Sequence, residues 1–152
     1  MNKGNYILRE ASMEDAAIIL EWRNDPVTVA NSITKCGVTP EAHLKWMENV
    51  IQNPLRKLFI LEVDGYPVGQ LRLDLKENSI AEISYGLGAD HRGKGYGRLL
   101  IEQAEEMAAT LGLTELNAEV LLHNKASSDI FRMLGFEEEK KEDRYVYQKQ
   151  YP

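Results

Sequence analysis

The chain has 152 residues, of which 43% are hydrophobic and 28% charged, and this composition excludes a disordered or fibrous class. A domain of this length buries about 70% of the surface that its unfolded chain exposes, so we expect one domain over residues 1–152. The 18 basic and 24 acidic residues give a net charge of −6, which argues against a nucleic-acid partner and leaves room for a local basic pocket.

Cys36 is the single cysteine of the sequence, so no intrachain disulfide can form and a reducing compartment is expected. No segment approaches the ~20 apolar residues of a membrane span, and the N-terminus lacks the apolar stretch of a signal peptide. No pair of histidines has metal-ligand spacing. We therefore predict a cytoplasmic protein without a membrane partner or a metal.

The first part of the chain alternates apolar runs with helix signals. A strand over residues 6–9 precedes a helix that Ser12 caps and that ends at Asn24-Asp25-Pro26, because a residue before proline disfavours the α region. Residues 27–38 are expected to form a loop or a short irregular helix. Thr39 and Pro40 then begin a helix that continues to residue 52.

The rest of the chain is mainly strands. Residues 57–63 and 66–75 form a predicted hairpin around Asp64-Gly65, followed by an apolar strand that ends at Leu87. Next come a helix ended by Gly112, a strand over 115–122, a helix over 125–134, and strands over 136–139 and 145–149. This order predicts an α/β (α+β) fold: a mixed, mostly antiparallel twisted sheet of about seven strands, with about four helices on its faces. Only the middle of the sheet has room for a parallel crossover.

A glycine-rich loop, R-G-K-G-Y-G over residues 92–97, follows Leu87 and opens a helix. Its three alternating glycines allow a ligand close to the backbone, and the first N–H groups of a helix have no partner of their own. The helix dipole and the side chains of Arg92, Lys94 and Arg98 add positive charge. The pattern predicts a phosphate-bearing cofactor.

Other glycine-rich loops fit less well. A P-loop needs Ser or Thr after Gly-Lys, whereas Gly95 follows Lys94. A dinucleotide-binding loop has the spacing G-x-G-x-x-G after an early strand, but this loop has G-x-G-x-G and follows a hairpin. Glu115 lies near the distance expected for a ribose-binding acid, so that interpretation stays open, as does a glycine turn that serves only packing.

Two segments carry a family resemblance. Residues 92–97 resemble the acetyl-CoA loop R/Q-x-x-G-x-G/A of the GCN5-related N-acetyltransferase (GNAT) superfamily. Residues 124–136, with Asn124, Ser127, Phe131 and a Gly-Phe pair, resemble its second signature. The order of elements agrees over essentially the whole chain. The chain is thus identified as a member of this superfamily, similar to its ribosomal-protein and amino-sugar branch.

The resemblance implies a single acetyltransferase domain with acetyl-CoA as co-substrate and no metal. In the superfamily the strand before the loop separates from its neighbour at a bulge, so the Leu87 amide would polarise the thioester carbonyl and Gly88 would admit the pantetheine arm. Asn124 and Ser127 would hold the far side of that arm. The remaining implied cofactor contacts are Arg92, Gly93, Lys94, Gly95, Tyr96 and Gly97.

Glu82 is the candidate base, on the same strand as Leu87. A carboxylate with an ordinary pKa near ~4.3 would relay the proton through water, and a solvated strand acid is the alternative. Many members have a tyrosine acid where this chain has Phe131, so Ser127, Tyr145 or water remain. The CoA thiol that leaves has a pKa near ~8.5 on the cysteine scale, so it can depart as a thiolate and a general acid is optional.

The first two helices are expected to cover the acceptor. Trp22 and Trp46 could stack on a sugar or nucleobase and Arg23 could meet a phosphate, while two tryptophans packed between helices are the alternative. Asn24 joins these candidate substrate contacts. His43 is expected as a capped surface histidine.

The segments W-R-N-D-P and H-L-K-W resemble acetyltransferases of amino-sugar nucleotides of the pseudaminic-acid type. The expected reaction is direct attack of that primary amine on acetyl-CoA in a ternary complex. The alternatives are an N-terminal acetyltransferase of the ribosomal-protein type and a non-catalytic acyl-CoA sensor. A homodimer is a further expectation, with the strand over 145–149 as an edge that pairs with a second copy.

Overall fold

A computed structural model of the chain describes residues 5–34 and 36–152, and in it seven strands form one sheet in the order β1-β2-β3-β4-β5-β7-β6. The strands are β1 Tyr6–Glu10, β2 Arg56–Val63, β3 Tyr66–Lys76, β4 Ile80–Leu87, β5 Glu115–Leu121, β6 Glu137–Lys140 and β7 Arg144–Gln150. β4 and β5 are parallel, and every other neighbouring pair is antiparallel. The predicted mixed sheet with a parallel step at its middle is confirmed.

Within the described ranges, five α-helices cover the sheet: α1 Ala16–Asn24, α2 Pro26–Ala30, α3 Pro40–Gln52, α4 Tyr96–Leu111 and α5 Lys125–Met133. α2 is the short helix that the sequence left open as the alternative to a loop over residues 27–38. It forms because the Asp25 carboxylate accepts the backbone N–H groups of Val27 and Thr28, and Pro26 occupies the first helical position. The same residues that end α1 therefore begin α2.

Strand β7 corrects one expectation. It lies between β5 and β6 and pairs with β5 from Glu115 to Leu121, so it is an inner strand and cannot be the free edge that pairs with a second copy. β6 pairs with the other side of β7 and so lies at one edge of the sheet, and β1 lies at the opposite edge. Strand order depends on long-range pairing, which local residue patterns do not encode.

Side chains on β3 alternate between the two faces of the sheet. Leu71 and Leu73 belong to the larger core, which α4 and α5 cover. Arg72 and Asp74 lie on the opposite face, where the smaller core is built by Ala16, Ile19, Trp22, Met47, Val50, Leu58 and Ile60. This second face therefore combines an apolar part near β2 with a polar part near β3 and β4.

Among the described residues, no helix is both long enough and apolar enough to cross a lipid bilayer.

Candidate active site

Strands β4 and β5 stay together for only three residue pairs, from Ile80–Glu115 to Glu82–Asn117. β4 continues beside β3 through Leu87, and the next residue, Gly88, donates its N–H to the Val68 carbonyl at 2.9 Å. Because N–H directions alternate along an antiparallel ladder, the Leu87 N–H faces the other way, toward the side of β5. The sheet therefore has an opening beside β4, and the Leu87 amide faces it.

The expected bulge is absent from the β3–β4 ladder, whose register is constant from Lys76–Ile80 to Gly69–Leu87. Instead, β5 pairs with β7 over its full length while its pairing with β4 ends. Divergence of β5 thus produces the separation that the family resemblance implied.

A cleft of about 780 Å³ occupies this opening and receives side chains from both faces of the sheet. The predicted site residues that line it are Arg23, Glu82, Leu87, Arg92, Gly93, Gly95, Gly97, Asn124 and Ser127. The predicted residues Trp22, Asn24, Trp46, Gly88, Lys94 and Tyr96 are not among its lining residues. The fold thus collects one strand, the glycine loop and the start of α5 around a single cleft.

The glycine loop presents the N-terminus of α4 to this cleft. Gly93 and Gly95 have φ angles of 76° and 86°, in the left-handed region that glycine adopts without strain. No side chain caps the N-terminus of α4, so the N–H groups of its first turn are available to an anion. These features fit the pyrophosphate of a CoA thioester.

Gly97 has a different role from the two glycines before it. A Cβ atom at Gly97 would lie 3.0 Å from Ile130 Cδ1 and 3.4 Å from Tyr85 Cε2. The absence of a side chain therefore allows α4 to pack closely against α5 and β4.

Arg92 lines the cleft, but one nitrogen of its guanidinium is already bonded within the protein, which differs from the expectation of a charge left free for a phosphate. Its Nη2 donates to Asp25 Oδ2 at 2.6 Å and to Thr28 Oγ1 at 3.1 Å. This bond with Arg92 is the main reason that the pKa of the Asp25 carboxyl is lowered. Arg92 thus links the glycine loop to the start of α2, and Asp25 neutralises the charge that the sequence assigned to the ligand.

At the start of α5, Asn124 and Ser127 form one structural unit. Asn124 caps the helix, since its Oδ1 accepts the Ser127 N–H at 3.4 Å. The Ser127 hydroxyl forms a hydrogen bond of 2.5 Å with the Tyr85 hydroxyl of β4. The Ser127 side chain therefore reaches across the opening and contacts β4.

Tyr85 is a site residue that the sequence did not reveal. Its ring meets the edge of Phe131, with centroids 6.4 Å apart, and Phe131 itself is buried between Phe136 and Tyr147. Burial raises the pKa of Tyr85, while the bond with Ser127 lowers it. Tyr85 occupies the same alternating positions along β4 as the apolar residues Ile83 and Leu87, so the pattern predicts a core residue. Only its contact with Ser127, 42 residues further along the chain, brings its hydroxyl to the cleft.

Glu82 is the last residue of β4 that pairs with β5, and it lines the cleft at this fork. Within residues 5–34 and 36–152, its carboxylate has no hydrogen-bond or ion-pair partner. Glu82 and Leu87 belong to the same strand, and the Leu87 amide faces the same opening. An unpaired carboxylate there can receive a proton from a bound nucleophile, directly or through water.

Trp22 and Asn24 contact other parts of the protein and do not line the cleft, and for Trp22 this agrees with the alternative of a tryptophan packed between helices. Trp22 is buried in the smaller core with 5% of its surface exposed, and its Nε1 lies 2.8 Å from the position of a Cβ at Gly88. The missing side chain of Gly88 therefore accommodates Trp22. Asn24 bonds both the N–H and the carbonyl of Val38 and so fixes that loop.

Trp46 does not present an open ring to a substrate. The Arg23 guanidinium lies 4.2 Å from its ring centroid, and His43 stacks at 5.9 Å. The expectation that His43 lies on the surface is wrong, since only 1% of it is exposed. Apolar packing around α1 and α3 buries His43, and hydrogen bonds to the Ala16 carbonyl and to Arg23 satisfy both ring nitrogens.

In the part of the chain that the structure describes, no three His, Cys, Asp or Glu side chains come together as a group that could hold a metal ion.

The comparisons with known proteins agree with this geometry. Residues 5–137 match the family model described as an acetyltransferase (GNAT) domain. The chain belongs to the GNAT acetyltransferase family. It is an N-acetyltransferase that uses acetyl-CoA as the acetyl donor, as the family resemblance implied.

One relative of this GNAT chain is YwnH of Bacillus subtilis (strain 168), a putative phosphinothricin acetyltransferase. It is 31% identical over 140 residues, which cover 86% of this chain and 83% of the relative. Two solved structures share the GNAT fold. RimL, a ribosomal L7/L12 alpha-N-protein acetyltransferase in complex with coenzyme A, has a TM-score of 0.83 at 18% identity, with 95% and 93% of the two chains covered. Spermidine N-acetyltransferase from Vibrio cholerae, in complex with CoA and spermine, has a TM-score of 0.83 at 19% identity, with 94% and 92% covered.

Proposed function

We propose that this chain acetylates the primary amine of a small molecule by direct attack in a ternary complex. The observation that carries the proposal is the opening between β4 and β5. It joins the uncapped N-terminus of α4 to a face of the sheet where Glu82 has no partner among the described residues. A thioester and an amine that enter from opposite sides would meet beside the Leu87 amide.

Each group in the cleft has a separate proposed role. The amides from Gly93 to Gly97 would hold the pyrophosphate, and the Leu87 N–H would donate to the thioester oxygen as it gains negative charge. Acetyl-CoA supplies the thioester whose carbonyl carbon forms the new bond to nitrogen while its bond to sulfur breaks. Glu82 would take the proton that the nitrogen loses, through water. The Ser127 hydroxyl, bonded to Tyr85, would give a proton to the sulfur.

We propose an amino-sugar nucleotide of the pseudaminic-acid type as the first acceptor class to test. Arg23 supports it, because a guanidinium that lines the cleft can bind the diphosphate of such a molecule. The two tryptophans no longer support it, since Trp22 is buried and Trp46 is covered by Arg23 and His43. A polyamine such as the acceptor named for the Vibrio cholerae structure fits less well, because Arg23 and Arg72 would repel its charges.

Steady-state release of CoA thiol tests this function. The full chain would be supplied with acetyl-CoA and, in separate reactions, with a 4-amino-4,6-dideoxy sugar nucleotide, spermidine and a peptide with a free N-terminus. We expect continuous thiol release with the sugar nucleotide and acetylated product by mass spectrometry. A clear preference for the peptide would replace the small-molecule proposal with the ribosomal-protein type. Tight CoA binding without release for any of these amines would contradict the proposed acceptor class.

Three further expectations accompany this proposal. One acetyltransferase domain would span residues 1–152. A cytoplasmic location suits the exposed free thiol of Cys36. A homodimer built by strand addition would use β1 or β6, the open edges of the sheet.

A further inference from the structure

Arg23 lines the acceptor side of the cleft with an unneutralised charge. Its only polar partner among the described residues is Nδ1 of His43, 3.0 Å from Nη1. Its Nε and Nη2 donors have no acceptor in that part of the chain. These two nitrogens form one edge of the planar guanidinium, the arrangement that binds a carboxylate or phosphate through two parallel hydrogen bonds.

Neighbouring arginines differ from Arg23 in this respect. Arg56 and Arg72 share the carboxylate of Asp74, at 3.1 and 3.2 Å. The three guanidinium groups all lie within 6 Å of the Trp46 ring centroid, at distances of 4.2, 5.9 and 5.5 Å for Arg23, Arg56 and Arg72. Among the described residues, Asp74 thus pairs with two of these three cations and not with Arg23.

The orientation of Arg23 is fixed on two sides. His43 is buried, and its Nε2 lies 2.7 Å from the Ala16 carbonyl oxygen, which can only accept a hydrogen bond. Nε2 therefore carries the proton, and Nδ1 is left as the acceptor for Arg23, which can only donate. On its other side the guanidinium packs on Trp46. A buried imidazole and an indole hold this arginine in position before any ligand binds.

The electrostatic surroundings also favour an anion. Burial lowers the pKa of Arg23, and the charges of Arg72 and Arg56 lower it further. A cation that is partly removed from water beside two like charges is destabilised unless an opposite charge approaches it. Arg72 lines the same cleft and contacts Ser84 through its Nη2 at 3.4 Å.

We propose that Arg23 and Arg72 form an anion subsite in the acceptor half of the cleft, so that the acceptor is a primary amine that also carries a carboxylate or phosphate group. The anionic group binds the free edge of Arg23, and the amine lies toward Glu82, which lines the same cleft. This arrangement orients the acceptor through two opposite charges. The assignment of the ligand as the acetyl acceptor rests on the proposed function; the anion site itself does not.

Matched amines give the kinetic test. Three small amines differ only in their anionic group: ethylamine has none, β-alanine has a carboxylate and 2-aminoethylphosphonate has a phosphonate. Glucosamine and glucosamine 1-phosphate form a larger matched pair. We expect kcat/KM to be higher for the anionic members. Arg23→Gln removes about 10- to 100-fold of that advantage, chiefly through KM. Comparison of the carboxylate with the phosphonate shows which anion the subsite prefers. The control is Lys141→Gln in the turn between β6 and β7, where this lysine pairs with the exposed Glu139 and neither residue lines the cleft.

A binding measurement separates the two proposals. Glucosamine 1-phosphate and 2-aminoethylphosphonate would be titrated by calorimetry into the full chain saturated with CoA, which occupies the glycine loop. We expect binding to wild type and Lys141→Gln and at least about 10-fold weaker binding to Arg23→Gln. Binding without acetylation of any amine would end the proposed function and keep the subsite. Acetylation of neutral and anionic amines with equal kcat/KM, equal affinity in Arg23→Gln, or no binding of either probe to wild type would overturn the subsite.

Discussion

The Nη1 atom of Arg23 lies 3.0 Å from the Nδ1 atom of His43, which belongs to a helix 20 residues further along the chain. The imidazole accepts this bond only while it is neutral, because a protonated ring has a donor on both nitrogens. The position of a cationic group in the cleft therefore depends on the protonation of a buried residue that does not itself line the cleft.

His43→Phe should raise KM for anionic acceptors by about 5- to 10-fold, because Arg23 loses the acceptor that fixes its orientation. His43→Gln, whose amide has both a donor and an acceptor, should restore most of the wild-type KM. Neither change should alter kcat/KM for ethylamine if His43 acts only through Arg23. Steady-state kinetics on the matched amines would measure this. Equal effects on ethylamine and 2-aminoethylphosphonate would indicate that the substitution acts through general unfolding.

Burial of His43 also gives the protein a stability that depends on pH. Burial is the main cause that lowers its pKa below the ordinary 6.5. Below pH 6.5 the imidazole is therefore protonated in the unfolded chain but still neutral in the folded chain. The contribution of His43 to the free energy of unfolding is therefore constant well above pH 6.5 and decreases as the pH falls toward the folded pKa, by at most about 1.4 kcal/mol per pH unit. Chemical denaturation of wild type and His43→Gln from pH 8 to 5 would measure it. A constant difference between the two curves would contradict the assignment.

Glu82→Gln should lower kcat by about 100-fold, the lower end of what a positioned base contributes. The defect should increase as the pH falls, because a protonated amine must lose its proton before it attacks. Thiol release across a pH series would record the profile. Glu137→Gln, a solvent-exposed change on β6, is the matched control and should keep the wild-type profile. A Glu82→Gln profile parallel to wild type would remove Glu82 from proton transfer.

Local patterns predicted what local interactions determine. Thr39 and Pro40 fix the start of α3 because the Thr39 side chain accepts the Ala42 N–H, and Gly112 ends α4 in a left-handed conformation, so the sequence alone locates both. The glycine loop was also predicted from local pattern, since anion binding there depends on backbone N–H groups at the start of a helix.

The errors share a different cause. Arg92 is paired with Asp25, 67 residues earlier in the chain, and His43 is bonded to the carbonyl of Ala16, 27 residues earlier. Whether a charged or amphipathic side chain contacts a ligand or another part of the protein is decided by such distant partners. The same reason explains why β7 is an inner strand although the sequence pattern allowed it to be an edge.

Gly95→Asp should abolish measurable acetyl-CoA binding, because it places a carboxylate at the N-terminus of α4 where the pyrophosphate is expected. Strain must be separated from charge, since Gly95 has a φ of 86°. Gly112→Asp is a suitable control: Gly112 has a φ of 68° at the opposite end of the same helix. Both variants should lose about 1 kcal/mol or more of stability. Calorimetric titration with acetyl-CoA should show binding by Gly112→Asp alone. Wild-type affinity in Gly95→Asp would overturn the cofactor-loop assignment.

Tyr85→Phe and Ser127→Ala test whether the two hydroxyls act together. Each substitution removes one end of their hydrogen bond, so each should lower kcat by about 10-fold if Ser127 gives the proton to the departing sulfur and Tyr85 orients it. The double variant should be little slower than either single variant, because both changes remove the same interaction.

Phe131→Tyr supplies the contrast. Its new hydroxyl would enter the aromatic cluster with Phe136 and Tyr147, which should cost about 1 to 3 kcal/mol of stability and leave turnover intact. Thiol-release kinetics with unfolding curves on all four variants decide the question. Effects of Tyr85→Phe and Ser127→Ala that multiply in the double variant would mean that the hydroxyls act independently, and abolished turnover in a folded Phe131→Tyr would show that the acid position tolerates no change.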